Sequence, residues 1–272
     1  MDKQSVIFVA GHRGMVGSAI VRALNTYAYE NVVTRTRSQL SLDNAEAVDS
    51  FFSEVRPEYV FLAAAKVGGI LANVKYGADF IRENLKIQTN VIDAAYRSGT
   101  KKLLFLGSSC IYPKFAEQPI HESALLQGPL EETNLPYAVA KIAGKVMCDA
   151  YRAQYGFDAF TVMPSNVYGV NDNFDPENSH VVAGIMRRIH EAHTQGASSM
   201  TAWGSGSPMR ELIDADDLAD ACVFLMREHT NGGLVNVGSG DEISIRDLTH
   251  LLAKIVGYQG EIFWDTSKPD GT

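Results

Sequence analysis

Ser5-Val6-Ile7-Phe8-Val9-Ala10-Gly11-His12-Arg13-Gly14-Met15-Val16-Gly17 decides how this chain folds. The apolar run is continuous rather than alternating, which fits a strand covered on both faces. It runs straight into glycines spaced three and three, and then into a helical pattern, MVGSAIVRALNTYA. Glycines at that spacing permit a tight turn, a close approach of backbone to a pyrophosphate, and close packing of helix on strand. The helix N-terminus then turns free N–H groups toward the phosphates. A glycine pattern alone is weak evidence; between this strand and this helix it points to a dinucleotide.

Beyond the loop, strand-like and helical runs alternate. NVVTRT precedes DNAEAVDSFFSEV, YVFLAAA precedes a helix from about residue 77 to 97, and KLLFLG leads through a loop to YAVAKIAGKVMCDAYRAQYG and then FDAFTVMPSNVYG. Repeated strand–helix alternation predicts an α/β fold with a doubly wound parallel (Rossmann) sheet. After Gly169 the pattern becomes irregular. Residues 1–165, with a return segment about 212–239, are expected to form the cofactor domain. Residues 166–211 and 240–272 are expected to form a smaller, discontinuous substrate lobe. The chain stops at SKPDGT, a turn-like sequence that reads as a truncation.

Composition narrows the function. A chain of 272 residues with 46% hydrophobic and 21% charged residues is large enough for a full core. The formal net charge of -8 argues against general binding of nucleic acid or a membrane surface. Three scattered cysteines, Cys110, Cys148 and Cys222, offer neither a disulfide framework nor a metal site. No apolar run approaches spanning length and the N-terminus lacks a signal-like segment, so a cytoplasmic protein is expected.

The second strand of such folds commonly ends in an acid that holds the ribose diol. Here it reads Val32-Val33-Thr34-Arg35-Thr36-Arg37. A guanidinium pairs with a 2′-phosphate that a carboxylate would repel. Arg37, with Arg13 in the loop, therefore predicts NADP(H) over NAD(H).

Tyr137 and Lys141 form Y-x-x-x-K at the start of a helix opened by Pro136. Residues four apart share a helix face. A lysine ammonium there is expected to lower the phenol pKa toward working pH and to hold the nicotinamide ribose. Ser108 ends the fourth strand at the carboxyl edge, where open sheets bind ligands. Ser, Tyr and Lys together describe carbonyl and alcohol redox chemistry. The turn Pro164-Ser165-Asn166-Val167-Tyr168-Gly169 would cover the nicotinamide face.

GHRGMVG, the Ser/YAVAK pair and PSNVYG resemble the extended short-chain dehydrogenase/reductase superfamily. AAAKVGGILAN (63–73), LGSSCIYPK (106–114), NSHVV (178–182) and WGSGSPMRE (203–211) narrow the resemblance to the GDP-L-fucose synthase family, over essentially the whole chain. That resemblance implies C3 and C5 epimerisation of GDP-4-keto-6-deoxy-D-mannose, followed by NADPH reduction of the C4 ketone. Carbons beside a ketone are acidic, so an acid/base pair can exchange their protons through an enolate. Cys110 and His180 match the family's acid/base residues; a thiolate favoured by nearby cations would serve as base. Leu106, Gly107, Ser109 and His180 also match cofactor positions. Arg188, Trp203, Arg210 and Asp270 match substrate positions. The family continues past PDG through a lysine-containing segment and a closing helix. A homodimer is implied by analogy.

Two other readings compete. A nucleotide-sugar 4-epimerase or 4,6-dehydratase would keep a tightly held NAD, but Arg35 and Arg37 stand where its acid belongs. Dehydratases add an acid pair after the serine, which SSCIYP lacks. A non-catalytic NADP-sensing module typically loses the Tyr or Lys, and both are present.

Overall fold

The computed structural model describes residues 1–176 and 179–267. In chain order the elements are β1 (Ile7–Ala10), α1 (Met15–Thr26), β2 (Val32–Val33), α2 (Ala45–Val55), β3 (Tyr59–Leu62), α3 (Ile70–Lys75), α4 (Gly77–Arg97), β4 (Lys102–Leu106), α5 (Leu135–Tyr155), β5 (Asp158–Pro164) and β6 (Asn166–Tyr168). There follow α6 (Val181–Thr194), β7 (Ser199–Trp203), β8 (Met209–Asp214), α7 (Ala215–Glu228), β9 (Gly233–Val237), β10 (Glu242–Ser244), α8 (Ile245–Val256) and β11 (Glu261–Asp265).

Six strands form one sheet in the order β2-β1-β3-β4-β5-β9, every pair parallel. Successive side chains of a strand point to opposite faces, and here both faces are covered. Ile7, Val9, Phe61, Leu104 and Phe160 pack under α1 and α7. Phe8, Ala10, Val60, Leu62, Leu103 and Phe105 pack under α2, α4 and α5. This two-sided burial is why the strands read as unbroken apolar runs.

Helix boundaries follow local chemistry. Asn44 caps α2 through the Ala47 amide, Asp214 caps α7 through Asp216, and Ser244 caps α8 through Asp247. Gly156 and Gly257 end α5 and α8 in the left-handed conformation.

A second body is built from β6, β8 and β10 in one small sheet and β7 paired with β11 in another. Helices α6 and α8 supply its core through Val182, Ile185, Ile189, Leu248 and Leu252. The chain crosses into it at Ser165, whose amide donates to Val237 O at 2.9 Å.

Three local expectations change. The second strand ends at Val33 rather than reaching Arg37: it lies at the sheet edge, and Thr34–Arg37 gains no ladder partner. Residues 164–168 are the junction of β5 and β6 rather than a turn, so the segment is held by both sheets. A short helix, α3, forms within 63–76, where the sequence reading held only a motif.

Candidate active site

The glycine loop joins β1 to α1. Gly11 has φ +89°, and a Cβ there would lie 2.7 Å from the Ala64 amide nitrogen. A Cβ on Gly17 would sit 2.2 Å from Gly11 O, so α1 can start this close to the loop only with glycine. Gly14 leaves its space open, with Gly11 O at 3.5 Å as the sole neighbour of a Cβ. The first turn of α1 carries no acid, so its amides face the cleft without a competing carboxylate. Arg13, Arg35 and Arg37 line the cleft at this end, all exposed. Arg37 is 76% exposed and only loosely faced by carboxylates, Asp43 at 3.6 Å and Glu83 at 3.8 Å. A glycine cradle with a free helix terminus and three unburied guanidiniums fits a dinucleotide carrying an extra phosphate.

On α5, Tyr137, Lys141 and Gly144 are spaced four and three, placing them on one face toward β4. Gly144 sets the approach: a Cβ there would meet the Phe105 ring at 2.5 Å. The close contact brings Lys141 Nζ within 2.6 Å of Leu106 O, at the end of β4. The same ammonium lies 4.8 Å from the Phe105 ring centroid and 5.8 Å from that of Tyr137. Phe80 of α4 meets the Tyr137 ring edge-on, with centroids 6.2 Å apart.

After β4 the chain makes one 3₁₀ turn, Ser109–Ile111, with Ser108 extended before it. That turn sends the Cys110 thiol back toward Ser108, where it donates to Oγ at 3.3 Å. The Ser108 hydroxyl in turn favours the ionised Tyr137 phenol. Three groups expected from the sequence are thus joined at one strand end.

Electrostatics there run against two expectations. Burial pushes the Tyr137 phenol above its ordinary value, with the Cys110 charge adding to it and Ser108 only partly offsetting it. Burial also pushes the Cys110 thiol up; Ser108 and Lys141 pull it down by less. Lys141 itself falls to about 8 through burial. The physical reason is common to all three. Desolvation penalises every charged form in this pocket, and the lysine's hydrogen bond goes to Leu106 O rather than to the phenol.

His180 sits just before α6, exposed, its carbonyl accepting from Gly184. Behind it, Arg187 and Arg188 part company. Arg187 donates to Glu191 Oε1 at 2.6 Å and to Phe174 O at 2.7 Å. Arg188 stacks on Trp203, its Cζ 4.9 Å from the ring centroid, and burial lowers its pKa.

A single cleft of about 2030 Å³ runs from the glycine loop to the second body, and every expected site residue among the described ones lines it. Asp270 lies outside the described residues. The cleft also takes in Arg35, Lys66 and Trp264. Local sequence carried no signal for Trp264. Only the parallel pairing of β11 with β7, which sets Trp264 opposite Ala202, brings it to the cleft. Among the described residues no cluster of three or more His, Cys, Asp or Glu is placed to hold a metal ion. No described helix is long and apolar enough to cross a membrane.

Known proteins resemble this chain in sequence and fold. The model of the NAD dependent epimerase/dehydratase family matches residues 7–238. Putative GDP-L-fucose synthase 2 of Arabidopsis thaliana is 61% identical over 272 residues, covering 100% of this chain and 83% of that protein. GDP-L-fucose synthase of Escherichia coli strain K12 is 53% identical, covering 100% and 87%. Among solved structures, a GDP-L-fucose synthetase from Naegleria fowleri bound to NADP superposes with a TM-score of 0.92 at 27% identity, covering 100% of this chain and 84% of that one. With identity this high sustained from end to end, the chain belongs to the NAD dependent epimerase/dehydratase family and, within it, to the GDP-L-fucose synthases.

Proposed function

We propose that this chain converts GDP-4-keto-6-deoxy-D-mannose to GDP-L-fucose, epimerising C3 and C5 and then reducing the C4 ketone, in one site at the carboxyl end of β4. The observation that carries the reading is the linkage of Cys110, Ser108 and Tyr137 beside Lys141, in the cleft that begins at the glycine loop.

Each residue is assigned by what its position permits. Gly11, His12, Arg13, Gly14, Met15, Val16 and Gly17 cradle the pyrophosphate, and Arg37 with Arg13 reads the 2′-phosphate. Leu106, Gly107, Ser109 and the 164–167 junction hold the nicotinamide half, with His180 at its edge. NADPH, when bound, supplies the hydride that reduces C4. Tyr137 donates its phenolic proton to the C4 oxygen. Burial keeps the phenol protonated in the free enzyme, and the alkoxide that develops at C4 as hydride arrives is basic enough to take its proton. Ser108 hydrogen-bonds the same oxygen and stabilises negative charge there in the enolate. Lys141 orients the ribose and moderates the charge on Tyr137. Cys110 and His180 remove and return the protons at C3 and C5. In the free enzyme burial favours the protonated thiol, so Cys110 acts as base only after losing that proton to solvent, a loss favoured by the Ser108 hydroxyl and the Lys141 charge. At the nucleotide end, Arg188, Trp203, Arg210 and Asp270 hold GDP. The stack of Arg188 on Trp203 supports that choice over Arg187, which is committed to Glu191.

The division of labour places cofactor on residues 1–165 and 212–239, and nucleotide sugar on 166–211 and 240–272. The chain is assigned to the cytoplasm as a homodimer, joined through the outer faces of α4 and α5. Val139 and Val146 of α5 are 40% and 47% exposed there.

The test is NADPH depletion at 340 nm with the 4-keto sugar, alongside Tyr137→Phe. Turnover by the wild-type chain and its loss in the variant, with NADPH still bound, are expected. Tightly held NAD in the purified protein, and no NADPH consumption, would transfer the chain to the 4-epimerase reading.

A further inference from the structure

Both tryptophans of the chain lie against arginines, and only one pair is explained by the site. Arg246, at the start of α8, places its Cζ 4.6 Å from the centroid of the Trp264 ring on β11. The pair holds a loop. Arg246 donates from its guanidinium to Ser205 O at 2.6 Å and from its backbone to Gly206 O at 2.9 Å. Ile245 N donates to Pro208 O at 3.0 Å, and Gly204 N to Asp265 O at 2.9 Å. Gly206, at φ +77°, lies flat on the indole: a Cβ there would meet the ring at 2.7 Å. Four carbonyls and one ring thus fix residues 204–208, which lie between Trp203 and Arg210.

We infer that Arg246 and Trp264 are positioning residues for the nucleotide half of the substrate, fixing the 204–208 loop so that Trp203 and Arg210 present a preformed GDP surface. The inference rests on the reading of Trp203 and Arg210 as GDP contacts. Its physical basis is preorganisation. A loop containing two glycines with positive φ, Gly204 and Gly206, would otherwise sample many conformations and surrender that freedom on binding. Arg246 and Trp264 surrender it on folding instead. Nothing in this device touches the reacting carbons, so it acts on binding and leaves the chemical steps alone.

The experiment is calorimetric titration of the full chain with GDP, and separately with NADPH, for wild type, Arg246→Ala, Gly206→Ala, Trp264→Ala and Trp264→Phe. Loosening the loop is expected to weaken GDP binding roughly tenfold, which is about 1.4 kcal/mol. Arg246→Ala and Gly206→Ala are expected to show it, with the NADPH affinity unchanged and kcat at saturating sugar unchanged. Trp264→Phe keeps an aromatic face and is expected to retain most of the affinity that Trp264→Ala loses. GDP affinities equal to wild type in Arg246→Ala and Gly206→Ala, with only a lower melting temperature, would overturn the positioning role while leaving the GDP reading intact. A wild-type chain that binds NADPH and fails to bind GDP would overturn both.

Discussion

Lys141 should cost this enzyme stability at neutral pH, and the cost can be measured. The side chain is 3% exposed, and burial takes its ammonium from 10.5 to about 8. In the unfolded chain it titrates at its ordinary value. Between those two values the unfolded state binds more protons than the folded state, so stability rises with pH through the window and is lost as pH falls toward 8. At about 1.4 kcal/mol per pKa unit, the buried charge costs about 3 kcal/mol near pH 7, and about 2 kcal/mol of that is recovered by about pH 9.5. Lys141→Met keeps the volume and removes the charge. It strands the Leu106 carbonyl, an offset of about 1 kcal/mol that does not vary with pH. The variant should therefore be about 2 kcal/mol more stable than wild type near pH 7 and nearly equal to it near pH 9.5, with no NADPH turnover at either. Urea unfolding followed by circular dichroism at both pH values reads this directly. Lys102 and Tyr112 also carry shifted pKa values, but both proteins contain them, so they cancel in the difference. Parallel stability profiles for the two proteins would show that Lys141 is solvated and refute the desolvation argument, and with it the account of why Tyr137 stays protonated.

Cys110→Ala is expected to abolish solvent-deuterium incorporation at C3 and C5 while sparing reduction of an already epimerised sugar; equal loss of both steps removes Cys110 from the epimerisation. Iodoacetamide should label free Cys110 only above the usual thiol range, and Ser108→Ala should move the midpoint higher still, because the hydroxyl now favours the thiolate; mass spectrometry across pH checks both. Arg37→Glu is expected to cut the NADPH-over-NADH preference at least tenfold, since a guanidinium–phosphate pair becomes a carboxylate–phosphate repulsion; an unchanged ratio of kcat/KM contradicts it. Gly17→Ala must displace a carbonyl 2.2 Å from the new methyl, so NADPH binding should fall by more than tenfold with GDP binding retained.

What could be read from the sequence was local and periodic. The 5–17 stretch predicts β1, the loop and α1 because a two-sided strand, a glycine turn and an amphipathic helix each leave a pattern within a few residues. Tyr137 and Lys141 were legible for the same reason, as neighbours on one helix face. What could not be read depended on partners distant in the chain. The early end of β2 follows from its place at the sheet edge, a matter of strand order. Trp264 enters the cleft only through its pairing with β7, about sixty residues earlier. Gly144 reads as an unfavourable residue in mid-helix until Phe105 is seen against it; then its missing side chain explains how Lys141 reaches the end of β4.

The electrostatics were the least legible of all, for a reason that also bears on mechanism. A sequence shows which charges are near one another, and from this the lysine seemed bound to lower the pKa of the tyrosine. The sign of the shift depends instead on burial, which here outweighs the neighbouring charges. Tyr137, Cys110 and Lys141 all move toward their neutral forms, the tyrosine and cysteine upward and the lysine downward. A site built this way stores its protons at rest. On the proposed roles, the Tyr137 proton is the one the C4 oxygen would take, and a Cys110 thiolate would form against the cost of burial, helped by Ser108 and Lys141.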